Sequence, residues 1–315
     1  MFFLPIFFSK KMKDRLVWFK ERIVPLQQAK INALSPSAQF GANVFEGLRG
    51  YWSESESELY IFRLKDHIKR LQKSIELVGF ESDFTDTYLY SAVMEAVRAN
   101  KFKEDIVCRQ IVFLDGFGSW SSKSPVNMLV APMAKGRYIG ANEGLKVCIS
   151  SWERINERSL PPSIKMGANY MNSRFAQLEA IRKNFDSAIF LNNQGNVSEG
   201  PGACVFIVKD KRLITPPLTA SILDSITRST VIQIAEDLKL GIDIRDVIRS
   251  ELLEADEIFM CGTAVEIAPV FSIDGVEVGN GLIGELTEKI RCMYFEIIYG
   301  KNKRYLHWLS PVYKI

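Results

Sequence analysis

Leu59-Tyr-Ile-Phe-Arg-Leu-Lys-Asp-His-Ile-Lys-Arg-Leu-Gln-Lys-Ser-Ile-Glu-Leu-Val78 changes its period part-way along. The opening Leu-Tyr-Ile-Phe is a short apolar run of strand formers. From there Leu64, Ile68, Leu71, Ile75 and Val78 recur at steps of four and three, the single stripe of an amphipathic helix. A strand running straight into a helix places the chain among mixed proteins, and the fold class read from the whole pattern is α+β. His67, Arg70 and Ser74 lie beside the stripe, at a cleft edge or in plain solvent.

Working outward, Leu16-Val-Trp-Phe19 and Ile23-Val-Pro-Leu26 flank a polar turn and read as a hairpin. A helix is expected over 88–100, a strand over 106–114, a Gly/Ser-rich loop over 115–123 and a strand over 127–131. The Gly-containing stretch that follows marks a boundary. The expected organisation is a small N-terminal α/β domain over 1–133, a linker over 134–144 and a large domain over 145–315, with 1–11 an extra or disordered start. The second half reads as a strand over 145–150, a helix over 171–183, strands over 188–191 and 203–209, and a helix that Gly241 ends as its C′ residue. Strands over 242–248 and 257–260 and a last helix over 287–299 complete it.

At 315 residues with 47% apolar and 24% charged content, the chain can bury a sizeable core. A net charge of +3 does not point to nucleic acid. Two histidines, far apart, leave little room for a His-rich metal site or a Ser-His-Asp triad, and no metal is expected. The five cysteines form no CxxC pair and read as small core hydrophobes in a reducing, cytoplasmic setting. The apolar start lacks the basic residues and small-residue cleavage site of a signal peptide, and no stretch is long enough to span a membrane. Gly116-Phe-Gly-Ser-Trp-Ser121 fails the dinucleotide fingerprint, and neither a nucleotide P-loop nor a GxSxG elbow is present.

Three places carry chemistry on physical grounds. Lys165, in Ser163-Ile-Lys-Met-Gly-Ala-Asn-Tyr170, sits in an uncharged stretch before a helix, where desolvation favours the neutral, nucleophilic amine. Its ordinary reading is a snorkelling surface lysine. Glu199, in Asn196-Val-Ser-Glu-Gly-Pro-Gly202, stands where glycines let backbone approach a ligand and a carboxylate can meet a cationic ring nitrogen. Its ordinary reading is a solvated turn residue. Ile222-Leu-Asp-Ser-Ile-Thr-Arg228 leads into a helix whose first N–H groups make an anion cup, or merely an N-cap at Asp224 or Ser225. Cys261-Gly-Thr-Ala264 is a second, weaker anion site.

Taken in order, these pieces resemble the branched-chain amino acid aminotransferases, class IV aminotransferases of the fold-type IV pyridoxal-phosphate enzymes. The resemblance covers nearly the whole chain. It rests on Phe45-Glu-Gly-Leu-Arg-Gly-Tyr51, Phe62-Arg-Leu-Lys-Asp-His-Ile-Lys-Arg-Leu71, Lys165-Met-Gly-Ala-Asn-Tyr170, Ser198-Glu-Gly200, Leu213-Ile-Thr-Pro-Pro217, Ile226-Thr-Arg228 and Phe259-Met-Cys-Gly-Thr-Ala-Val-Glu-Ile267. It implies pyridoxal 5′-phosphate as cofactor, bound between a smaller N-terminal α/β domain and a larger domain around a β-barrel-like sheet. It further implies Lys165 as the catalytic Schiff-base lysine, Glu199 on the pyridine nitrogen and Tyr170 on the ring hydroxyl. Arg70, Ile226, Thr227 and Thr263 are implied at the phosphate.

The substrate side implied by the resemblance comprises Phe40, Phe45, Arg49, Val107, Arg109, Lys135, Tyr138, Thr263 and Ala264. Phe40 stands where the family has Tyr, Val107 where an aromatic is common, Lys135 at a Trp position, and Cys204 where Asn is usual. These departures imply a wider pocket, or one carrying a cation, and a bulkier or acidic substrate in place of valine. The expected reaction moves an amino group between an L-amino acid and a 2-oxo acid such as 2-oxoglutarate in two half-reactions. The alternatives are an aminodeoxychorismate-lyase-like enzyme and a non-catalytic cofactor-binding protein; D-amino acid transaminase is disfavoured by Phe45-Glu-Gly-Leu-Arg49. The family also implies at least a homodimer, with the loop over 115–121 and its Trp120 reaching the neighbour, and no nucleic-acid or membrane partner.

Overall fold

The computed structural model describes residues 15–136 and 144–314, so the expected extra start, most of the expected linker, and Tyr138 lie outside the described residues. The chain divides into two compact units. One is Met1–Gly136 with Ile164–Ala168 and Ile298–Ile315, the other Arg137–Ser163 with Asn169–Ile297. This differs from the expected assignment of all of 145–315 to one domain, and the reason is local. Ile164 is buried in the first core, and Met166 bridges to Val44. Glu58, with no exposed surface, accepts the backbone N–H groups of Val312, Tyr313 and Lys314 at 3.0, 2.8 and 2.6 Å.

The first unit is an antiparallel sheet of β1 (Leu16–Phe19), β2 (Arg22–Pro25), β3 (Asn43–Ser53), β4 (Glu58–Phe62), β5 (Ile106–Leu114) and β6 (Val126–Ala134), with the strand Leu309–Pro311 on β4. The order from that edge is β4-β3-β5-β6-β1-β2. Lys20 and Glu21 both take positive φ, giving the two-residue turn whose twist suits a hairpin. Helix α1 (Pro36–Phe40) precedes β3, with Ser35 capping it by accepting Ala38 N–H.

Helix α2 (Leu64–Leu77) is the one the stripe predicts. Its Leu64, Ile68, Leu71 and Ile75 are buried in one core with Val44 and Leu48 of β3, Leu59 and Ile61 of β4, and Leu89 and Val93 of α3 (Asp86–Asn100). Each such side chain contributes roughly 1.5–3 kcal/mol. The sequence pattern did not mark β3, because a buried Glu46 interrupts its apolar inward row between Val44 and Leu48.

The second unit is a mixed sheet of β7 (Leu145–Ile149), β8 (Ser187–Ile189), β9 (Cys204–Lys209), β10 (Arg212–Thr215), β11 (Gly241–Ile244), β12 (Glu257–Gly262) and β13 (Glu266–Ile273), with β14 (Val276–Glu277) on β13. Its order is β11-β10-β9-β12-β13-β7-β8. Helix α4 (Tyr170–Arg182) packs Ala176 and Ala180 against Cys148, Ala188 and Phe190. Helix α5 (Ile226–Asp237) lies against β11 and β12, and α6 (Glu285–Ile298) is the last α-helix among the described residues.

Two expectations are corrected here. Gly241 is not the C′ residue of α5: the helix ends at Asp237 with Leu238 as its C-cap, Lys239 takes the left-handed position at φ 57, and Leu240 N–H returns to Ala235 O, so Gly241 opens β11. The expected strand over 242–248 stops at Ile244, where Glu251 gathers the Arg245 guanidinium and the Ile248 N–H and turns the chain away. Among the described residues no helix is long and apolar enough to cross a membrane.

Candidate active site

In the first unit the candidate residues are placed by the pleat of β3. Its register sets Gly47 opposite Arg109 and Arg49 opposite Val107, so Phe45, Gly47 and Arg49 share a face with Val107 and Arg109. Lys165 joins this edge: its carbonyl accepts Phe45 N–H at 3.0 Å, and its own N–H reaches Ser74 Oγ on α2 at 3.4 Å. Lys165 Nζ lies 5.1 Å from the centre of the Phe45 ring, and the Arg109 guanidinium 4.7 Å from the same ring. The half-buried lysine thus has its backbone tied down and its amine beside an aromatic face.

Arg49 is buried, donating to the carbonyls of Lys135 and Gly136 at 3.3 and 3.1 Å. Lys135 therefore enters through its backbone, and its side chain is exposed. Phe40 ends α1 at 46% exposure, edge-on to Trp120 with ring centres 6.1 Å apart. Phe45, Lys165 and Arg109 are thus brought together, Arg49 is bonded to Lys135, and Phe40 stands with Trp120.

Arg70 is placed differently from a plain surface cation. Its Nε and Nη2 donate to the two oxygens of Glu46 at 2.7 and 2.8 Å, and His67 Nδ1 lies 2.7 Å from Glu46. Burial opposes the charge on Glu46, but Arg70 and then His67 outweigh it and hold the carboxyl far below the usual range. Burial pushes the His67 pKa below its ordinary value against the pull of Glu46, so the neutral ring donates from Nδ1 to the carboxylate. Sequence reasoning gave Glu46 no role. The available signal was a Glu in an inward strand position facing a His and an Arg three apart on one helix.

In the second unit Glu199 is 4% exposed. Arg154 Nη2 donates to its Oε1 at 2.7 Å and Leu223 N–H to its Oε2 at 3.2 Å, while Cys204 Sγ lies 3.9 Å from Oε2. Arg154 also donates from Nη1 to Asn172 Oδ1 at 3.1 Å, two residues beyond Tyr170, the half-buried first residue of α4. Arg154 was missed altogether, since nothing local links positions 154 and 199.

The segment that Leu223 anchors runs into α5. Ser225 Oγ caps it by accepting Arg228 N–H, and Ser229 N–H makes the first turn's bond to Ser225 O, so the Ile226 and Thr227 amides precede the helical ladder. Arg228 itself points inward, onto Thr215 Oγ1 and Pro216 O. Thr263 and Ala264 lie in the turn after β12, and that turn abuts the Glu199 loop. A Cβ on Gly262 would stand 2.9 Å from Gly202 O, and one on Gly200 3.0 Å from Ala188 O, so glycine is required for the approach.

These residues suit a phosphorylated pyridine. A fixed carboxylate matches a protonated ring nitrogen, and a helix start and a threonine turn each match a phosphate. The Arg154 guanidinium, donating from Nη2 to Oε1, fixes the direction in which the Glu199 carboxylate points.

Residues 43–273 match the family model described as amino-transferase class IV. The probable branched-chain-amino-acid aminotransferase of Aquifex aeolicus (strain VF5) is 36% identical over 96% of this chain and 99% of its own. The chain belongs to the branched-chain aminotransferase family. The crystal structure of a branched-chain aminotransferase from Thermoproteus uzoniensis with norvaline superposes at a TM-score of 0.91, with 40% identity over 95% of this chain and 99% of that one. That of the Thermobaculum terrenum enzyme in its PLP form gives 0.91 and 40%, over 96% and 100%. This branched-chain aminotransferase relative therefore has the fold-type IV architecture, takes pyridoxal 5′-phosphate and transfers amino groups between amino acids and 2-oxo acids. The lyase and non-catalytic readings are not favoured.

Proposed function

We propose that this chain transfers the amino group of a branched-chain or bulkier apolar L-amino acid to a 2-oxo acid such as 2-oxoglutarate. Bound pyridoxal phosphate supplies the electron sink that makes the substrate Cα–H acidic. Lys165 would hold the cofactor, and its Nζ would take the Cα proton and redeliver it, a task that needs the neutral amine. Glu199, aligned by Arg154, keeps the ring nitrogen protonated, and Tyr170 bonds the ring hydroxyl. The Ile226 and Thr227 amides, Thr263 and Arg70 hold the phosphate.

The family resemblance supports Phe45, Val107 and Phe40 as apolar contacts of the substrate side chain, and Arg49, Arg109, Thr263, Ala264, Lys135 and Tyr138 as its further contacts. The observation that carries this reading is Lys165 fixed through its backbone to Phe45, with its amine and the Arg109 guanidinium both on the Phe45 ring. Val107 and the hydroxyl-free Phe40 favour side chains larger than that of valine. The Phe117 and Trp120 side chains, 74% and 78% exposed, support a homodimer in which the 115–121 loop reaches the neighbour. A cytoplasmic location fits the free cysteines, four of them buried.

The test is a visible spectrum of the purified, cofactor-loaded protein titrated with single amino acids and no acceptor. Leucine and larger apolar donors are expected to convert the lysine-bound band more efficiently than valine. A preference for valine of about tenfold or more removes the enlarged pocket, and no response to any donor removes the transfer reading itself.

A further inference from the structure

Lys165 is gripped by two different elements. Its carbonyl is held by Phe45 N–H on β3, continued by the bridge from Met166 to Val44, and its N–H faces Ser74 Oγ on α2. The position of the lysine's backbone therefore depends on how α2 sits on β3. That seating is fixed at one polar point inside an otherwise apolar contact. Glu46, adjacent to Phe45 and wholly buried, receives Arg70 through two parallel bonds and His67 through a third, and both partners come from α2.

His67, Arg70 and Ser74 stand at helical spacing on one face of α2, so the residues that grip Glu46 and the one that meets Lys165 move as a unit. An apolar contact tolerates sliding by fractions of an ångström. A bidentate carboxylate–guanidinium pair with an imidazole on its flank does not.

We infer that Glu46, with His67, is a positioning residue for Lys165, locking α2 to β3 so that the lysine's peptide is clamped from both sides. This rests on the catalytic role given to Lys165. Arg70 is aimed by the same lock, because its Nε edge lies against Glu46 and an anion would meet the opposite edge.

The test uses cofactor-loaded protein. A wild type that takes up no pyridoxal phosphate or transfers nothing overturns the role of Lys165 and this inference with it; an active wild type isolates the lock. Glu46→Gln keeps the volume but removes the charge and offers Arg70 a donor where it needs an acceptor. Its kcat is expected to fall about tenfold with KM changed by less than about twofold, since misplacement acts on the reacting geometry. Amide hydrogen exchange at Phe45 and Lys165 accelerates about tenfold in the same variant. His67→Asn, whose amide keeps a donor where Nδ1 stands, retains at least about half of the wild-type kcat, whereas His67→Leu loses about fivefold. A folded Glu46→Gln with kcat and exchange both within about twofold of wild type overturns the lock. So does an equal kcat for the two His67 variants, which decides the matter if Glu46→Gln does not fold.

Discussion

Glu46 in the first unit and Glu199 in the second are both buried carboxylates, each met by an arginine at 2.7 Å, and they are bonded differently. Glu46 is surrounded: two bonds from Arg70 and one from His67 occupy it, and it lies under a helix with no exposed surface. Glu199 receives one bond from an arginine that divides itself between Glu199 and Asn172, one from a backbone amide, and a distant thiol. A saturated ion pair specifies how two elements sit, whereas an aligned carboxylate with an acceptor position in reserve is equipped to meet a ligand. A buried ion pair is weak evidence for stability either way. The count and direction of its hydrogen bonds separate the two cases.

The largest expected effect tests the half of this contrast that carries chemistry. Lys165→Ala should reduce transfer from leucine to 2-oxoglutarate by roughly 10⁴-fold, and Glu199→Gln by roughly 10²-fold. Steady-state kinetics on loaded protein measures both. If Glu199→Gln loses no more than Glu46→Gln, the distinction between a ligand-facing and a structural carboxylate fails.

The next effect is on stability. Arg154→Met leaves Glu199 charged and buried without its cation, and should lower unfolding free energy by roughly 3–5 kcal/mol. Arg154→Met combined with Glu199→Gln should recover most of that in urea unfolding, because the stranded charge has gone. A cost below about 1 kcal/mol for the single variant would mean that Arg154 does not hold Glu199.

The two clusters should also part company in acid. Only the Glu46 cluster contains an imidazole, whose field comes from Glu46, Arg70 and Lys165. Its folded pKa is lowered, so the unfolded chain binds the extra proton first. Stability is fully present above about pH 6.5 and declines as pH falls below it. Glu46, also lowered, adds a further loss only in stronger acid. Wild type should lose stability between about pH 6.5 and 5, and His67→Asn should flatten that slope; urea midpoints across the range measure it. An unchanged slope would show that His67 does not couple the lock to pH.

The stripe from Leu64 to Val78, the Lys20 turn, and the strand–helix alternation were legible because they rest on local periodicity and turn chemistry. Lys165, Glu199 and the Ile226 helix start could be picked out from the sequence by their places at element boundaries, though each had a bland reading until their order was considered. Arg154 and Glu46 were not visible. Arg154 acts on a residue 45 positions away, and Glu46 hides as one polar residue in an apolar strand whose partners sit on a helix 21 and 24 positions later. Gly241 misled because glycine is the usual left-handed terminator, and here Lys239 accepts that conformation two residues earlier.

The smallest effect sharpens the second cluster. Cys204 stands opposite Cys261 across β9 and β12, with its sulfur 3.9 Å from Glu199 Oε2 and 3.8 Å from Leu223 O. A thiol at that range is a weak donor, and Leu223 N–H already serves the same carboxylate oxygen at 3.2 Å. Cys204→Ala should therefore change pyridoxal-phosphate affinity and KM by no more than about twofold. Cys204→Asn places a full amide donor beside Oε2 and should tighten the hold on Glu199, visible as a shift in the bound cofactor's absorption band with the fold intact. If Cys204→Ala instead matched Glu199→Gln, the alignment of Glu199 would depend on the thiol rather than on Arg154, and the two clusters would differ in their anchors as well as in their openness.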